Sequence, residues 1–217
     1  LFPAFSAMQH DVSRLQQSVI RSGRLLAAVI FPVGTGIFCI SPELVPLLYG
    51  DQWLPMIPAL QMLALASIPR ASAAIATPIF NSQNRVGLAF QYNTVGTLIM
   101  IMGVTLTIPY GIGAVAKAIA FSSLYMLVML RVAFRLIGLN SSTLLSVFFA
   151  PAVASSLMAV SIFALRAKDV IDGTQLIGIV LGYIAIGAFV YSASLFLIAS
   201  ELRADARSVI SKLFKSR

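Results

Sequence analysis

Apolar residues run along this chain in blocks rather than in stripes. Stretches at approximately 22–41, 55–80, 86–108, 111–131, 144–165 and 174–199 are dominated by Leu, Ile, Val, Ala, Phe and Met. A hydrocarbon core of roughly 30 Å takes about 20 apolar residues of helix, and each block is long enough. None alternates polar with apolar positions, so they do not read as strands of a membrane β-barrel. The pattern predicts an all-α fold, a polytopic transmembrane helix bundle of six spans. Pro32, Pro69, Pro78 and Pro151 lie in or near these spans. Neighbouring helices can satisfy the carbonyls that proline frees, so kinks rather than breaks are expected.

The flanks have a different pattern. In "HDVSRLQQSVIRSGRLL", Val12, Leu15, Val19 and Ile20 share one face, with Asp11, Arg14, Gln17 and Arg21 elsewhere. In "ELRADARSVISKLFKSR", Val209, Ile210, Leu213 and Phe214 do the same. Both read as amphipathic helices at a membrane surface, where basic residues meet anionic lipid. The expected organisation is residues 1–21 as the end of a preceding span and a cytoplasmic amphipathic helix, 22–199 as six transmembrane helices, and 200–217 as a basic cytoplasmic amphipathic tail.

Composition agrees with a bilayer as the solvent. Of 217 residues, 59% are hydrophobic and only 10% charged, and mean hydropathy is +0.95. A soluble domain carries about a quarter charged residues. The net charge of +8 does not indicate nucleic acid, because the basic residues are spread between apolar blocks without interleaved aromatics. They set orientation instead. Alternate connections hold eleven basic residues (Arg14, Arg21, Arg24, Arg85, Arg131, Arg135 and five in the tail) against two, Arg166 and Lys168. By the positive-inside rule both ends face the cytoplasm. The 42–54 connection carries Glu43 and Asp51 and no basic residue. Cys39, the single cysteine, excludes an internal disulfide. The chain opens at Leu1 without a cleavable signal pattern, and the expectation is that it is the C-terminal part of a longer protein.

Two cations fall inside spans. Arg70 lies in "LASIPRASAAIAT", about ten residues from the nearer end of its span. Leu63, Ala66, Ser67, Ala73, Ala74, Thr77 and Asn81 share its helical face and are mostly small or polar; Met62, Ile68, Ile75 and Ile79 lie on the other side. A guanidinium at that depth marks a functional site by default. The alternative is a structural role, bonding carbonyls freed by Pro69 and Pro78 or pairing with a residue outside this chain. Lys117 is shallower, among Gly113, Ala114, Ala120, Phe121 and Leu124, and can either meet a ligand or snorkel to the interface. Gln61, Gln91 and Asn93 add polar atoms that read as helix-to-helix bonds. Gly178 and Gly182 form a small-residue seam expected to serve internal packing. Arg70, Lys117, Thr77 and Asn93 are the candidate substrate-binding residues.

Catalytic chemistry has little to work with. His10 is the only histidine and precedes the first span, and no acidic residue lies within a span. No phosphate-binding glycine loop is present. The expectation is no enzyme, no metal and no cofactor.

The opening stretch, through "FPVGTGIFCISPELVPLLYGDQWLPMIPALQMLAL", resembles the second half of Wzx-type polysaccharide flippases of the multidrug/oligosaccharidyl-lipid/polysaccharide superfamily. The resemblance rests on the Phe-Pro pair at 2–3 and an amphipathic helix, then a span with Pro32, Gly34 and Gly36, then "PELVPLLYGDQW" with Glu43, Leu44, Val45, Leu48, Gly50 and Trp53. It covers roughly residues 1–95 and is nearest to the colanic-acid or exopolysaccharide exporter branch. It implies the second lobe of a two-lobed bundle plus two terminal spans, in the bacterial inner membrane. The implied substrate is an oligosaccharide repeat unit on undecaprenyl pyrophosphate, moved by alternating access around a cationic cavity. Implied partners are that lipid-linked oligosaccharide, anionic membrane lipids and polysaccharide polymerase machinery, without nucleic acid. Two other readings stay open: a drug exporter of the same superfamily, and a membrane-embedded glycosyl or acyl transferase whose catalytic residues lie outside this chain.

Overall fold

The structure, a computed structural model, describes residues 12–167 and 176–198. The tail helix at 200–217, His10 and the start of the first amphipathic segment lie outside the described residues. Among those described, helices account for nearly everything and none is a strand. The order is α1 (Val12–Tyr49), a short 3-10 helix (Asp51–Met56), α2 (Ile57–Ala71), α3 (Ala73–Ser82), α4 (Val86–Thr107), a 3-10 turn (Ile108–Tyr110), α5 (Ile112–Ser123), α6 (Tyr125–Leu136), α7 (Ser141–Ala167) and α8 (Leu176–Ile198). With α2 joined to α3, and α5 to α6, they make six membrane-length apolar spans. The chain is an all-α multi-pass membrane bundle. One end of it carries Gly50, Gly111 and Ala167, and the other carries Arg85 and Gly138.

The first helix departs from expectation at both ends. Residues 12–21 do not form a separate surface helix but continue the first span without a break. The reason is that their apolar stripe meets protein: Leu15 and Val19 are fully buried in a cluster with Ile75, Ile79, Phe80, Met129, Leu130 and Phe134. Gln16 Nε2 adds a hydrogen bond to the Ile137 carbonyl at 2.6 Å. At the other end, the stretch expected as a 42–54 loop stays helical to Tyr49, although Pro42 and Pro46 lie inside it. Pro42 has no N–H, so the Phe38 carbonyl loses its helical partner. Ser41 Oγ at 3.1 Å and Gln61 Nε2 of α2 at 3.2 Å donate to that oxygen instead. The helix stops only at Gly50, whose φ of +87° suits glycine.

Packing is organised by α1. It lies against α2, α7 and α8, while α2 packs on α5, α3 on α6, and α7 on α8. Without a hydrophobic drive between helices in lipid, small residues let backbones approach. A Cβ built on Gly34 would stand 2.8 Å from the Ala64 carbonyl oxygen and 2.9 Å from Ser67 Oγ. In the last span the packed glycine is Gly187, against Ile162 and Met158. Gly178, expected in an internal seam, has nothing within 4 Å of such a Cβ.

Of the four prolines expected to kink their helices, only Pro69 lies beside an interruption; α1, α3 and α7 run through Pro32, Pro78 and Pro151. The second interruption, at Leu124, has no proline near it.

Gly34 and Gly178 give a direct comparison. Gly34→Ala should lower the thermal unfolding midpoint of the purified protein, with an overpacking cost of about 1–3 kcal/mol. Gly178→Ala should change stability by less than about 0.5 kcal/mol. Equal midpoints for the two variants would show that α1 and α2 do not meet this closely.

Candidate functional site at two helix breaks

The α2–α3 and α5–α6 spans are each interrupted for one residue, at Ser72 and at Leu124. Both breaks are made the same way. The Ser72 N–H bonds Pro69 O three residues back, and its hydroxyl donates to that carbonyl too. The Leu124 N–H bonds Phe121 O at 3.1 Å, while Ser122 and Ser123 hydroxyls donate to Ile119 O and Ala120 O at 2.9 and 2.6 Å. Serine bonding to a carbonyl one turn back bends a helix, and tighter three-residue bonds narrow it locally. Because α2 packs on α5 and α3 on α6, the two broken spans run side by side.

Arg70 stands two residues before the first break. It is exposed, and among the described residues it has no hydrogen bond or ion pair. Along the helices it is about 20 Å from the start of α2 and about 18 Å from the end of α3. It lines a cleft of about 100 Å³ with Gly96, Thr97, Met100, Ile119, Ser122, Ser123 and Met126. One wall is therefore α4 and the other is the α5–α6 break. Gly96 keeps the α4 wall close: a Cβ there would lie 2.8 Å from Met126 Cε. Among the described residues Arg70 bonds neither the Leu65 carbonyl that Pro69 frees nor the Ala74 carbonyl that Pro78 frees, and its guanidinium lines the cleft instead.

The other three sequence candidates stand apart from this cleft. Thr77 is half-buried on α3, seven residues and about 10 Å further along. Asn93 lies one turn from Thr97 on α4, and its amide nitrogen donates to Ala89 O at 2.8 Å, so that group is spent within its own helix. Lys117 is exposed on α5. At 100° per residue it lies roughly 140–240° around the helix from Ile119, Ser122 and Ser123, so it occupies the opposite side. Of the four, only Arg70 is brought to the cleft.

Residues that sequence reading passed over are Thr97 and the serine pair 122–123. Their signal is adjacent hydroxyls in the middle of an apolar span. A second omission is a charged cluster at the Gly50 end. Arg166 Nη2 donates to Glu43 Oε2 at 2.7 Å and to the Cys39 carbonyl at 2.6 Å. Its guanidinium also lies 5.6 Å from the Phe163 ring and 5.7 Å from the Tyr183 ring. No group of three or more metal-ligating side chains occurs among the described residues.

Comparison with known proteins supplies the relationship. Residues 1–58 match the family described as "Polysaccharide biosynthesis protein". Over 106 residues the chain is 27% identical to the lipopolysaccharide biosynthesis protein WzxC of Escherichia coli (strain K12), covering 49% of this chain and 22% of that protein. It is 26% identical over 99 residues to the teichuronic acid biosynthesis protein TuaB of Bacillus subtilis (strain 168), covering 46% and 20%. It is 32% identical over 66 residues to the succinoglycan biosynthesis transport protein ExoT of Rhizobium meliloti (strain 1021), covering 30% and 13%. Over these segments the chain is similar to proteins named for polysaccharide biosynthesis and transport. It spans about a fifth of the length of the first of these relatives. No solved structure matches it. The residues that match the family, 1–58, take in α1 and the short 3-10 helix but not Arg70.

That geometry has a chemical consequence. A cysteine replacing Arg70 should react with a charged, water-soluble thiol reagent, because the position is open to the cleft. A cysteine replacing Ala76, fully buried on α3, should be protected in the folded protein. Equal protection at both positions would mean the cleft is dry.

Proposed function

We propose that this chain is part of a transporter that flips undecaprenyl-pyrophosphate-linked oligosaccharide repeat units across the bacterial inner membrane, for exopolysaccharide or lipopolysaccharide synthesis. The observation that carries the reading is the free guanidinium of Arg70, at mid-membrane depth in a cleft between two broken spans. A charge is costly there unless it faces water or a partner. The planar fork of arginine binds phosphate oxygens in pairs, so a pyrophosphate linkage is a chemically matched ligand. The word "transport" in the name of ExoT supports movement of a polysaccharide precursor, while WzxC and TuaB are named for polysaccharide biosynthesis. On this reading the chain is not an enzyme.

The proposal extends to architecture. The six spans form the second lobe and two terminal spans of a two-lobed protein, and the lobes rock about the cleft in alternating access. Thr77 and Asn93 enter as more distant contacts for an extended ligand, and Lys117, on the far side of α5, as a contact outside the cleft. The Arg85 end faces the cytoplasm, where Arg85, Arg131 and Arg135 meet anionic lipid. A boundary at residue 199 and a working contact with the polymerase machinery belong to the same proposal.

In the full-length protein, Arg70→Ala should abolish polymer export while the protein stays inserted and abundant. Arg70→Lys should keep part of the activity, since charge remains and the fork is lost. Lys117→Ala should have the smaller effect. Normal export by Arg70→Ala, or its disappearance from the membrane, makes Arg70 a structural residue.

Orientation has its own test. In whole cells an impermeant thiol reagent should label Asp51→Cys and leave Asn140→Cys unlabelled. The reverse labelling overturns the proposed topology without touching the Arg70 experiment.

A further inference from the structure

The span least covered by protein is also the least apolar. In Val86–Tyr110, which is α4 with its 3-10 turn, only 6% of the apolar stretch is buried, the lowest share of the six spans. A helix wrapped in hydrocarbon should be among the most hydrophobic of the set. This one has a mean hydropathy of 1.3, the lowest of the six, against 2.1 for α8. Polar side chains within spans face a bundle interior or a water-filled cavity rather than lipid, so the open face of α4 meets something polar.

Three side chains supply that polarity. Gln91, Thr94 and Thr97 are all exposed, and they recur at intervals of three. Residues three apart on a helix are neighbours, so they form one row, which Met100 continues. Thr97 and Met100 line the Arg70 cleft. The row therefore leads out of that cleft toward the Arg85 end. By helix rise, Gln91, Thr94 and Thr97 stand about 8, 12 and 17 Å from the start of α4.

Their bonding differs. The Thr97 hydroxyl donates to Asn93 O at 2.9 Å, within its own helix. Gln91 and Thr94 have no hydrogen bond among the described residues. The sequence reads Gln91, like Gln61, as a helix-to-helix bond; Gln61 makes one, to Phe38 O of α1, and Gln91 does not. An amide and a hydroxyl left bare against hydrocarbon are costly. Each can both donate and accept, and neither is charged. That chemistry matches the hydroxyls of a sugar, whereas the guanidinium of Arg70 matches phosphate.

We propose that Gln91 and Thr94 bind sugar hydroxyls of the oligosaccharide whose pyrophosphate meets Arg70. The proposal rests on the reading of Arg70 given above and adds a second part to that site. Arg70 takes the charged linkage, and the α4 row reads the glycan. A site built to hydrogen-bond hydroxyls disfavours a ligand that leaves its polar groups unpaired, so this row contributes to sugar selectivity.

The test uses the full-length protein in lipid nanodiscs and two probes. One is undecaprenyl pyrophosphate carrying the repeat unit, isolated from the cells that make the protein; the other is bare undecaprenyl pyrophosphate. Gln91→Met with Thr94→Val should weaken binding of the glycan-bearing lipid about tenfold, as expected for two neutral hydrogen bonds. Binding of the bare carrier should be unchanged. Arg70→Ala should weaken both. In a Cys39→Ala background, Thr94→Cys should react with a water-soluble thiol reagent, and the glycan-bearing lipid should slow that reaction more than the bare carrier does. If the double variant binds both probes as the parent does, the glycan row is overturned, while the Arg70→Ala result still stands for the flippase reading. Equal loss of both probes, an unreactive Thr94→Cys, or failure of the double variant to accumulate also overturns it, because the face is then covered by another helix. A parent protein that binds neither probe overturns both readings.

Discussion

In hydrocarbon there is no water to take an unpaired carbonyl, and that single constraint organises this bundle. Each proline or bend in a span raises the question of which side chain receives the freed oxygen. At Pro42 the answer is Ser41 and Gln61, which ties α1 to α2. Next to it the Cys39 carbonyl receives Arg166, which ties α1 to α7. Elsewhere the hydroxyls of Thr97, Ser122, Ser123, Ser156 and Ser161 are spent on carbonyls of their own helices, three or four residues back. Most polar atoms in the membrane layer are thus already committed to the backbone. Arg70 differs from them in having no hydrogen-bond partner among the described residues.

The span pattern was readable because each span is a long apolar run bounded by a short turn, and hydrocarbon thickness fixes the length. Arg70 stood out because a charge in such a run is costly in hydrocarbon, while the run alone left a structural role open. The continuity of α1 was not. An amphipathic stripe such as Leu15 and Val19 looks alike whether it meets lipid headgroups or protein, and only the fold brings Phe80 and Phe134 against it. The break at Leu124 was also hidden: no proline marks it, and serine pairs are common in helices that do not break.

The Arg166–Glu43 pair illustrates a different limit. The two residues are 123 positions apart, and each looked like a loop residue near a span end. Arg166 was counted as a loop charge for orientation, but its partner depends on α1 staying helical through Pro42. Gly187 and Gly178 make the same point on a smaller scale, since only the neighbouring helix decides which glycine is needed for close approach.

The length of α1 has a mechanical meaning. Thirty-eight helical residues extend about 57 Å, nearly twice a hydrocarbon core of roughly 30 Å. The helix therefore reaches through both interfacial layers as one strut, fastened to the α6–α7 turn by Gln16 and to α7 by Glu43. A continuous helix fastened at both ends carries motion from one membrane face toward the other, and Pro32, Pro42 and Pro46 are the places where it can bend. Whatever tilts α1 at one surface is felt at the opposite surface as displacement, with no need for a relay of side chains between them.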